Sequence, residues 1–393
     1  MKIVYISYYF PPDLGAGSFR SDALVQKLIN KLEKSDELHV ITSEPNRYSK
    51  NKHYFQNKFK NKNLIIHRIS VFDHKEKFII KSLVGIKYFL DGQIKILKIN
   101  PDFVIASSAR LVSGLLAYVS SKVLKIKYAL DLRDLFGSFI NEYLKKNYIL
   151  KVLAFLIIKA EKKVIENANT VNLVSPGFQL YLRKKNIKIK NVSYFTNGID
   201  NLFLDNFRKK KSQTKKKLTL TYAGNVGYGQ KLDVILPFVA NSNPNLNILI
   251  IGDGGRINNL RFLIKKYKLK NIKIHKPVSR NKLNFYYNKS DILFLTLNNL
   301  ETFKYTIPSK VFEYAVKNKF VLAGLSGFSK KFCKKNFNNF YFFKPGNLAE
   351  CNHLISKIKS FKIKKNNNLE RFKRENIMEE YSKKLIKIIN KNK

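Results

Sequence analysis

The chain has 393 residues, enough for two domains of ordinary size, each with its own core. Apolar residues make up 45%, as in a globular protein, and the apolar run Val152–Ile158 is far short of the ~20 residues of a membrane span. Two cysteines, Cys333 and Cys351, exclude a disulfide framework and fit a reducing compartment, so a cytoplasmic protein is expected.

The net charge of +48 has several readings: nucleic acid, an anionic membrane face, or acidic substrates. Lys, Asn, Ile, Phe and Tyr are abundant and Trp is absent, the profile that AT-rich codon bias produces. Lysines are spread along the chain instead of gathered in one arm, which disfavours a nucleic-acid protein. Composition drift and attraction to an anionic bilayer both remain open.

In chain order, Lys2–Ser7 reads as a buried strand, Ser18–Leu32 as an amphipathic helix and Leu38–Thr42 as a strand. Leu64–Ile69 is a further strand, followed by a helix near Ile79–Lys98 and the strand Phe103–Ser107. A helix near Ser113–Leu124 and the strand Tyr128–Leu132 continue the series. Short apolar strands separated by helices predict a parallel sheet covered on both faces.

The pattern restarts after the run from Lys209 to Lys217, an apolar-free, self-repelling linker signal. Then come the strand Leu218–Ala223, the helix Lys231–Val239 and the strands Leu246–Ile251 and Ile272–His275. A helix ending at Lys289, the strand Ile292–Leu297, the helix Ser309–Lys317 and the strand Phe320–Ala323 follow. The expected layout is a domain over 1–205, a linker over 206–217, a second domain over 218–375 and a terminal helix over 376–393. Two doubly wound Rossmann-like α/β domains facing a cleft are the fold class predicted, with the last helix crossing back to the first domain.

Gly15-Ala16-Gly17 follows the first strand and opens its helix, with Ser18 as the expected N-cap. Arg20 stands where a dinucleotide fingerprint would place its third glycine, and suits a phosphate or carboxylate; a purely structural glycine turn is the alternative. Ala223 to Lys231 repeats the logic, with Gly224, Gly227 and Gly229 between strand and helix and Lys231 set to meet negative charge. Gly252-Asp253-Gly254 ends the next strand in a tight turn, where Asp253 could equally cap a helix.

At the end of the strand Tyr128–Leu132, Asp131 and Arg133 share one face and Asp134 opposes them. A carboxylate there can orient or deprotonate a hydroxyl, or simply form an internal ion pair. Pro308-Ser309-Lys310 starts a helix whose N–H groups and ammonium can converge on a diphosphate. Glu313, one turn after Ser309, can accept two ribose hydroxyls, or merely form a surface salt bridge. The six histidines show no metal spacing and no Asp-x-Asp is present, so neither metal nor cofactor is expected.

Taken in order, these segments resemble the retaining family 4 glycosyltransferases of GT-B fold, particularly the bacterial surface-polysaccharide (O-antigen and capsule) branch. The resemblance rests on Tyr9-Phe10-Pro11-Pro12 with Gly15-Ala16-Gly17 and Arg20, on Asp131-Leu132-Arg133-Asp134 and on Asn197-Gly198-Ile199-Asp200. It continues through the Gly224–Lys231 turn and Gly252-Asp253-Gly254 to Pro308-Ser309-Lys310 with Glu313-Tyr314, covering nearly the whole chain.

The resemblance implies a UDP-linked sugar donor held by the second domain and a glycan or lipid-linked acceptor on the first. Donor contacts are implied at Gly17, Gly227, Gln230, Lys231, Asp253, Gly254, Pro308, Ser309, Lys310 and Glu313, and acceptor contacts at Gly15, Arg20, Asp131 and Arg133. Asp134 and Glu313 take the catalytic roles. Tyr305 replaces the first glutamate of the family's pair, and of its phosphate-binding Arg–Lys pair Lys231 takes one place and Arg280 or Lys310 the other. Tyr148–Lys163 interleaves Leu, Phe and Ile with lysines, and lies either on an anionic inner membrane surface or against the core. The rival functions are a nucleotide-sugar epimerase of related fold and a basic nucleic-acid-binding protein.

Overall fold

The computed structural model describes residues 1–45, 63–71, 78–143, 148–204 and 217–391. The expected linker at 206–217 lies outside the described residues save for Lys217. Two compact units result: unit 1 is Met1–Asn197 with Arg374–Lys393, and unit 2 is Gly198–Lys373.

Unit 1 runs β1 (Lys2–Ser7), α1 (Ala16–Ile29), β2 (Glu37–Ser43), β3 (Leu64–Ile69), α2 (Phe78–Ile99), β4 (Phe103–Ser108) and α3 (Leu111–Val123). It continues with β5 (Lys127–Leu132), α4 (Phe136–Tyr143), α5 (Tyr148–Asn167), β6 (Thr170–Leu173), α6 (Gly177–Lys184) and β7 (Val192–Ser193). The sheet order is β3-β2-β1-β4-β5-β6-β7, all parallel. A parallel strand covered on both faces has no polar side, which is why Ile3 to Ile6 and Val104 to Ala106 are continuous apolar runs with no exposed surface.

Unit 2 comprises α7 (Asn201–Leu204), β8 (Leu218–Asn225), α8 (Leu232–Ser242), β9 (Leu246–Asp253), α9 (Ile257–Lys266), β10 (Ile272–His275) and α10 (Arg280–Lys289). After these come β11 (Ile292–Thr296), α11 (Lys310–Ala315), β12 (Phe320–Gly324), α12 (Gly327–Asn336), β13 (Phe340–Phe343) and α13 (Leu348–Lys357). Its parallel sheet has the order β10-β9-β8-β11-β12-β13. Successive strand residues feed two separate cores. Leu220, Ile250, Phe294 and Leu322 pack with α8 and α13, while Ala223, Ile251, Leu293 and Ala323 pack with α10 and α11. Both sheets are the doubly wound α/β type that the strand–helix alternation predicts.

The last helix, α14 (Arg374–Asn390), belongs to unit 1 and lies on α1. Its buried stripe Met378, Tyr381, Leu385 and Ile389 joins Leu24, Val25 and Leu28 over β1 and β2. Each such side chain contributes about 1.5–3 kcal/mol on burial, before entropy is set against it. Lys27 pairs with Glu375 at 3.3 Å, and Lys31 with Glu379, along the exposed edge of the same contact.

One cap differs from expectation. α1 begins at Ala16, two residues before Ser18, and the extended backbone of Gly15 (φ −169°) forms the cap. Ser18 is therefore inside the first turn, fully buried, with its hydroxyl making no hydrogen bond.

Candidate functional site

In an open parallel sheet, ligands bind where neighbouring strands send their helices to opposite faces. In unit 2 that place is the C-terminal edge of β8 and β11, because α8 belongs to one core and α11 to the other. The glycine-rich turn after β8 is built there from short local bonds. Val226 N–H reaches the Asp253 carbonyl at 2.9 Å, and the Gln230 side-chain oxygen accepts from Gly227 N–H at 3.2 Å and from Asn225 Nδ2 at 3.1 Å. Gln230, expected at the donor, is thus occupied in shaping the turn. Asn298, just past β11, braces it by donating to the Gly229 carbonyl at 2.7 Å. Lys231 adopts the left-handed conformation (φ 51°) directly before α8.

Two glycines here are required by space. Gly224 has φ 139°, and a Cβ on it would collide with the Lys310 ammonium. A Cβ on Gly252 would collide with the Gly224 carbonyl oxygen. The structure therefore brings the Gly224 turn, the Gly252–Gly254 turn and the start of α11 into one cluster. Lys310, at the first position of α11, reaches over the end of β8 and lies 5.7 Å from the Tyr222 ring. Pro308 and Ser309 lead into that helix, with Ser309 at the cap making no side-chain cap bond. Asp253 does not cap α9; it is exposed and accepts from Gly254 N–H at 2.8 Å.

Arg280, the alternative to Lys310, is committed elsewhere. It pairs with Asp200 and stacks 5.0 Å from the Phe203 ring. That pairing ties the Gly198–Asp200 segment to α10, and Lys317 secures the following α7 by donating to the Phe203 carbonyl at 2.7 Å.

Glu313 is half-buried on α11 and accepts a hydrogen bond from Tyr287 Oη at 3.1 Å. Burial, with the Glu313 charge beside it, raises the Tyr287 pKa well above its ordinary value, so the phenol stays a donor. The carboxylate is held from one side by a rigid, fully buried ring on α10. Tyr287 carried no signal in the sequence, because it precedes Glu313 by 26 residues on another element. Tyr305 donates to Glu301 at 3.0 Å, and Glu301 also meets Lys304 at 2.6 Å, so a carboxylate lies beside Tyr305.

In unit 1 two residues expected at the acceptor form an internal ion pair. Arg20 and Asp131, read as acceptor contacts, are both fully buried and bonded to each other at 2.8 and 2.9 Å. Arg20 also donates to the carbonyls of Thr196 (2.7 Å) and Phe195 (2.8 Å), and Asp131 accepts from Asn172 at 2.7 Å. Burial opposes the Arg20 charge, but Asp131 outweighs it and holds the pKa above the ordinary value. Their side chains are used up in tying α1 to β5 and to residues 195–196. Spacing showed that Asp131 and Arg133 share a face, but not that Arg20, 111 residues away, fills it.

Arg133 differs. Its guanidinium lies against Gly17, where a Cβ would approach Nη1 to 2.8 Å. Nε and Nη1 are buried and make no hydrogen bond, and burial together with Arg20 lowers the pKa against the pull of Asp131 and Asp134. Gly15, Gly17 and Arg133 thus form one local group at the start of α1, and Asp134 is exposed beside it in sequence. Among the described residues no three His, Cys, Asp or Glu are grouped as metal ligands.

Unit 2 thus offers backbone turns and an ammonium for phosphate, and an oriented carboxylate for a diol. Residues 204–377, nearly all of that unit, match the family described as Glycosyl transferases group 1. Among curated proteins none matches by sequence. By structure, sucrose-phosphate synthase from Thermosynechococcus elongatus is similar over 99% of both chains, with TM-score 0.75 and 14% identity. The lipopolysaccharide outer core galactosyltransferase WaaB is similar over 98% of this chain and 99% of its own (TM-score 0.61, 13% identity). UDP-GlcNAc 2-epimerase from Neisseria meningitidis, bound to UDP-GlcNAc, covers 98% and 100% (TM-score 0.57, 12% identity). At these identities the likenesses speak for the fold, and the family match speaks for the chemistry. Unit 2 carries a glycosyl transferase group 1 domain, and the chain is a glycosyltransferase of GT-B fold.

Proposed function

We propose that the chain moves a sugar from a UDP-linked donor, with retention of anomeric configuration, to a lipid-linked glycan in cell-surface polysaccharide biosynthesis. The observation that carries this reading is the joining of the Gly224 turn to Lys310, with Glu313 held by Tyr287 one turn along α11. Lys310, Lys231 and the turn amides meet the diphosphate, whose charge grows as it leaves. Glu313 accepts the ribose hydroxyls. The bond from the anomeric carbon to the phosphate oxygen breaks, and a bond to the acceptor oxygen forms on the same face. The acceptor's proton passes to the released diphosphate. Arg133 and Gly15 offer a cation and an amide to an acceptor, the Gly17 amide serves the donor, and Asp134 orients the attacking hydroxyl. No metal is assigned a part, because lysines and amides supply the positive charge. The place of work is the cytoplasmic face of an anionic membrane, where such an acceptor resides. WaaB, whose name carries lipopolysaccharide, supports the polysaccharide reading by fold likeness alone.

Glu313→Ala tests the donor assignment. Loss of two hydrogen bonds to a charged group, at about 1.5–3 kcal/mol each, should weaken UDP binding by about a hundredfold or more, with transfer to lipid extract falling at least as far. Calorimetric titration with UDP and a labelled-sugar transfer assay read the two effects, with circular dichroism verifying the fold. Undiminished binding in that variant overturns the assignment. Interconversion of free nucleotide sugar without acceptor would favour the epimerase instead.

A further inference from the structure

Helices α2, α3 and α5 form one layer in unit 1. Gly92 of α2 abuts Leu116 of α3, and Gly114 of α3 abuts both Val164 of α5 and Leu130 of the sheet. Leu130 points away from the face where its neighbour Ala129 meets the α1 and α14 core. The layer therefore covers the opposite side of the sheet.

The outer surface of this layer is apolar. On α2, Leu83, Ile86, Leu90, Ile94 and Leu97 are 40–59% exposed. At 100° per residue they fall within about 80° of each other, directly opposite the buried stripe Val84, Tyr88, Ile96 and Ile99. The exposed stripe is about 21 Å long. On α5, Val152, Phe155 and Leu156 are 50–55% exposed, opposite the buried Ala154 and Glu161. Single exposed apolar residues are ordinary, but two such patches on helices of one layer are not.

The charge around them has one sign. Lys98 flanks the α2 stripe, and Lys159 and Lys163 continue the α5 line, all exposed. The three helices carry only three acids: Asp91 is bonded to Lys87, Glu166 lies 3.7 Å from Lys162, and Glu161 is buried. A second copy of this chain is a poor occupant, since it would bring a further +48 to the contact. An anionic bilayer meets both features, taking the apolar side chains at its interface and the lysines at its headgroups.

We propose that the outer faces of α2 and of the first half of α5 are the surface by which this protein docks on an anionic lipid bilayer. The proposal gives the membrane partner of the functional reading above a defined site, and rests on that reading only for its purpose, because vesicle binding needs neither donor nor turnover.

The chain has no tryptophan, so Leu90→Trp installs a single fluorescent reporter at the centre of the stripe. Its emission should shift to the blue with phosphatidylglycerol-containing vesicles and stay fixed with phosphatidylcholine alone. In flotation with the anionic vesicles, the wild-type chain should remain bound at 0.5 M salt (about a 4–5 Å screening length), where surface charge alone no longer holds it. The exposed triple variant Ile86→Ser, Leu90→Ser, Ile94→Ser should lose at least tenfold in partitioning at that salt, with its Tm and UDP affinity unchanged. An unshifted reporter, a triple variant that floats like wild type, or a dimer in sedimentation that the triple variant dissolves would each overturn the proposal. The last would assign the stripe to a second copy. Failure of UDP binding with vesicle docking intact would instead strike the donor site.

Discussion

Every nitrogen of the Arg20 guanidinium is bonded: two to the Asp131 carboxylate, and the terminal pair also to the carbonyls of Phe195 and Thr196. Such a pair is costly to desolvate and costlier to break, because removing one partner strands the other charge in the core. Arg20→Ala should therefore destabilise unit 1 by about 3–5 kcal/mol, read as a fall in Tm, and leave UDP affinity in unit 2 unchanged. A variant with native Tm would return Arg20 to the acceptor role. Tyr287 makes the converse case. Tyr287→Phe keeps the buried ring and deletes one bond to a carboxylate, a loss of about 1.5–3 kcal/mol in orienting Glu313. The expected result is a donor KM raised roughly tenfold or more with kcat less affected. A changed Tm with unchanged KM would mark Tyr287 as structural only. These residues also show where the sequence stops being readable. Glu313 and Lys310 could be picked out because their helix start supplies local context. Arg20 and Asp131 offered equally good local context, and only the fold reveals that each is the other's partner.

At the scale of elements, legibility followed the length and environment of each strand. Leu64–Ile69 and Ile272–His275 are found at the boundaries their apolar runs indicate, and most others differ by one or two residues at an end. β7, with two residues, is too short for any periodicity to register. The junction of α4 and α5 was equally silent, though it carries a titrating group. Glu161 of α5 is buried and accepts Gly137 N–H at 3.1 Å at the start of α4. Burial, with Asp134 adding to it, pushes its pKa up to about 7 against the bonds from Gly137 and Phe136. The folded chain then holds a proton that the unfolded chain has lost between about pH 4.5 and 7. Stability falls as pH rises through that window and levels off above it, a contribution on the order of 3 kcal/mol. Glu161→Gln keeps the acceptor for Gly137 and removes the titration. Its Tm advantage over the parent should be small at pH 5 and grow to a plateau above pH 7. A constant difference across that range would show that Glu161 does not titrate there.

At the scale of the whole molecule, the chain passes between its two units twice, at Asn197–Gly198 and Lys373–Arg374, and each unit keeps its own cores. A ligand that binds one unit stabilises that unit directly. With UDP at a hundred times its Kd, the gain is about 2.7 kcal/mol, which slows hydrogen exchange roughly a hundredfold at amides that open with the binding unit. The slowing should concentrate in unit 2, at Ala223–Lys231, Gly252–Gly254 and Ser309–Tyr314, and leave α14 unchanged. The net charge of +48 makes a control necessary, because any polyanion is drawn to such a surface. Inorganic pyrophosphate carries the phosphates without the ribose. It should protect the Gly224 turn and the start of α11 but not the amides following Glu313, and its effect should fade in salt faster than that of UDP. Equal protection by both anions would reduce the site to a phosphate cradle and remove the ribose role of Glu313. Protection confined to Gly15–Arg20 would move the donor to unit 1.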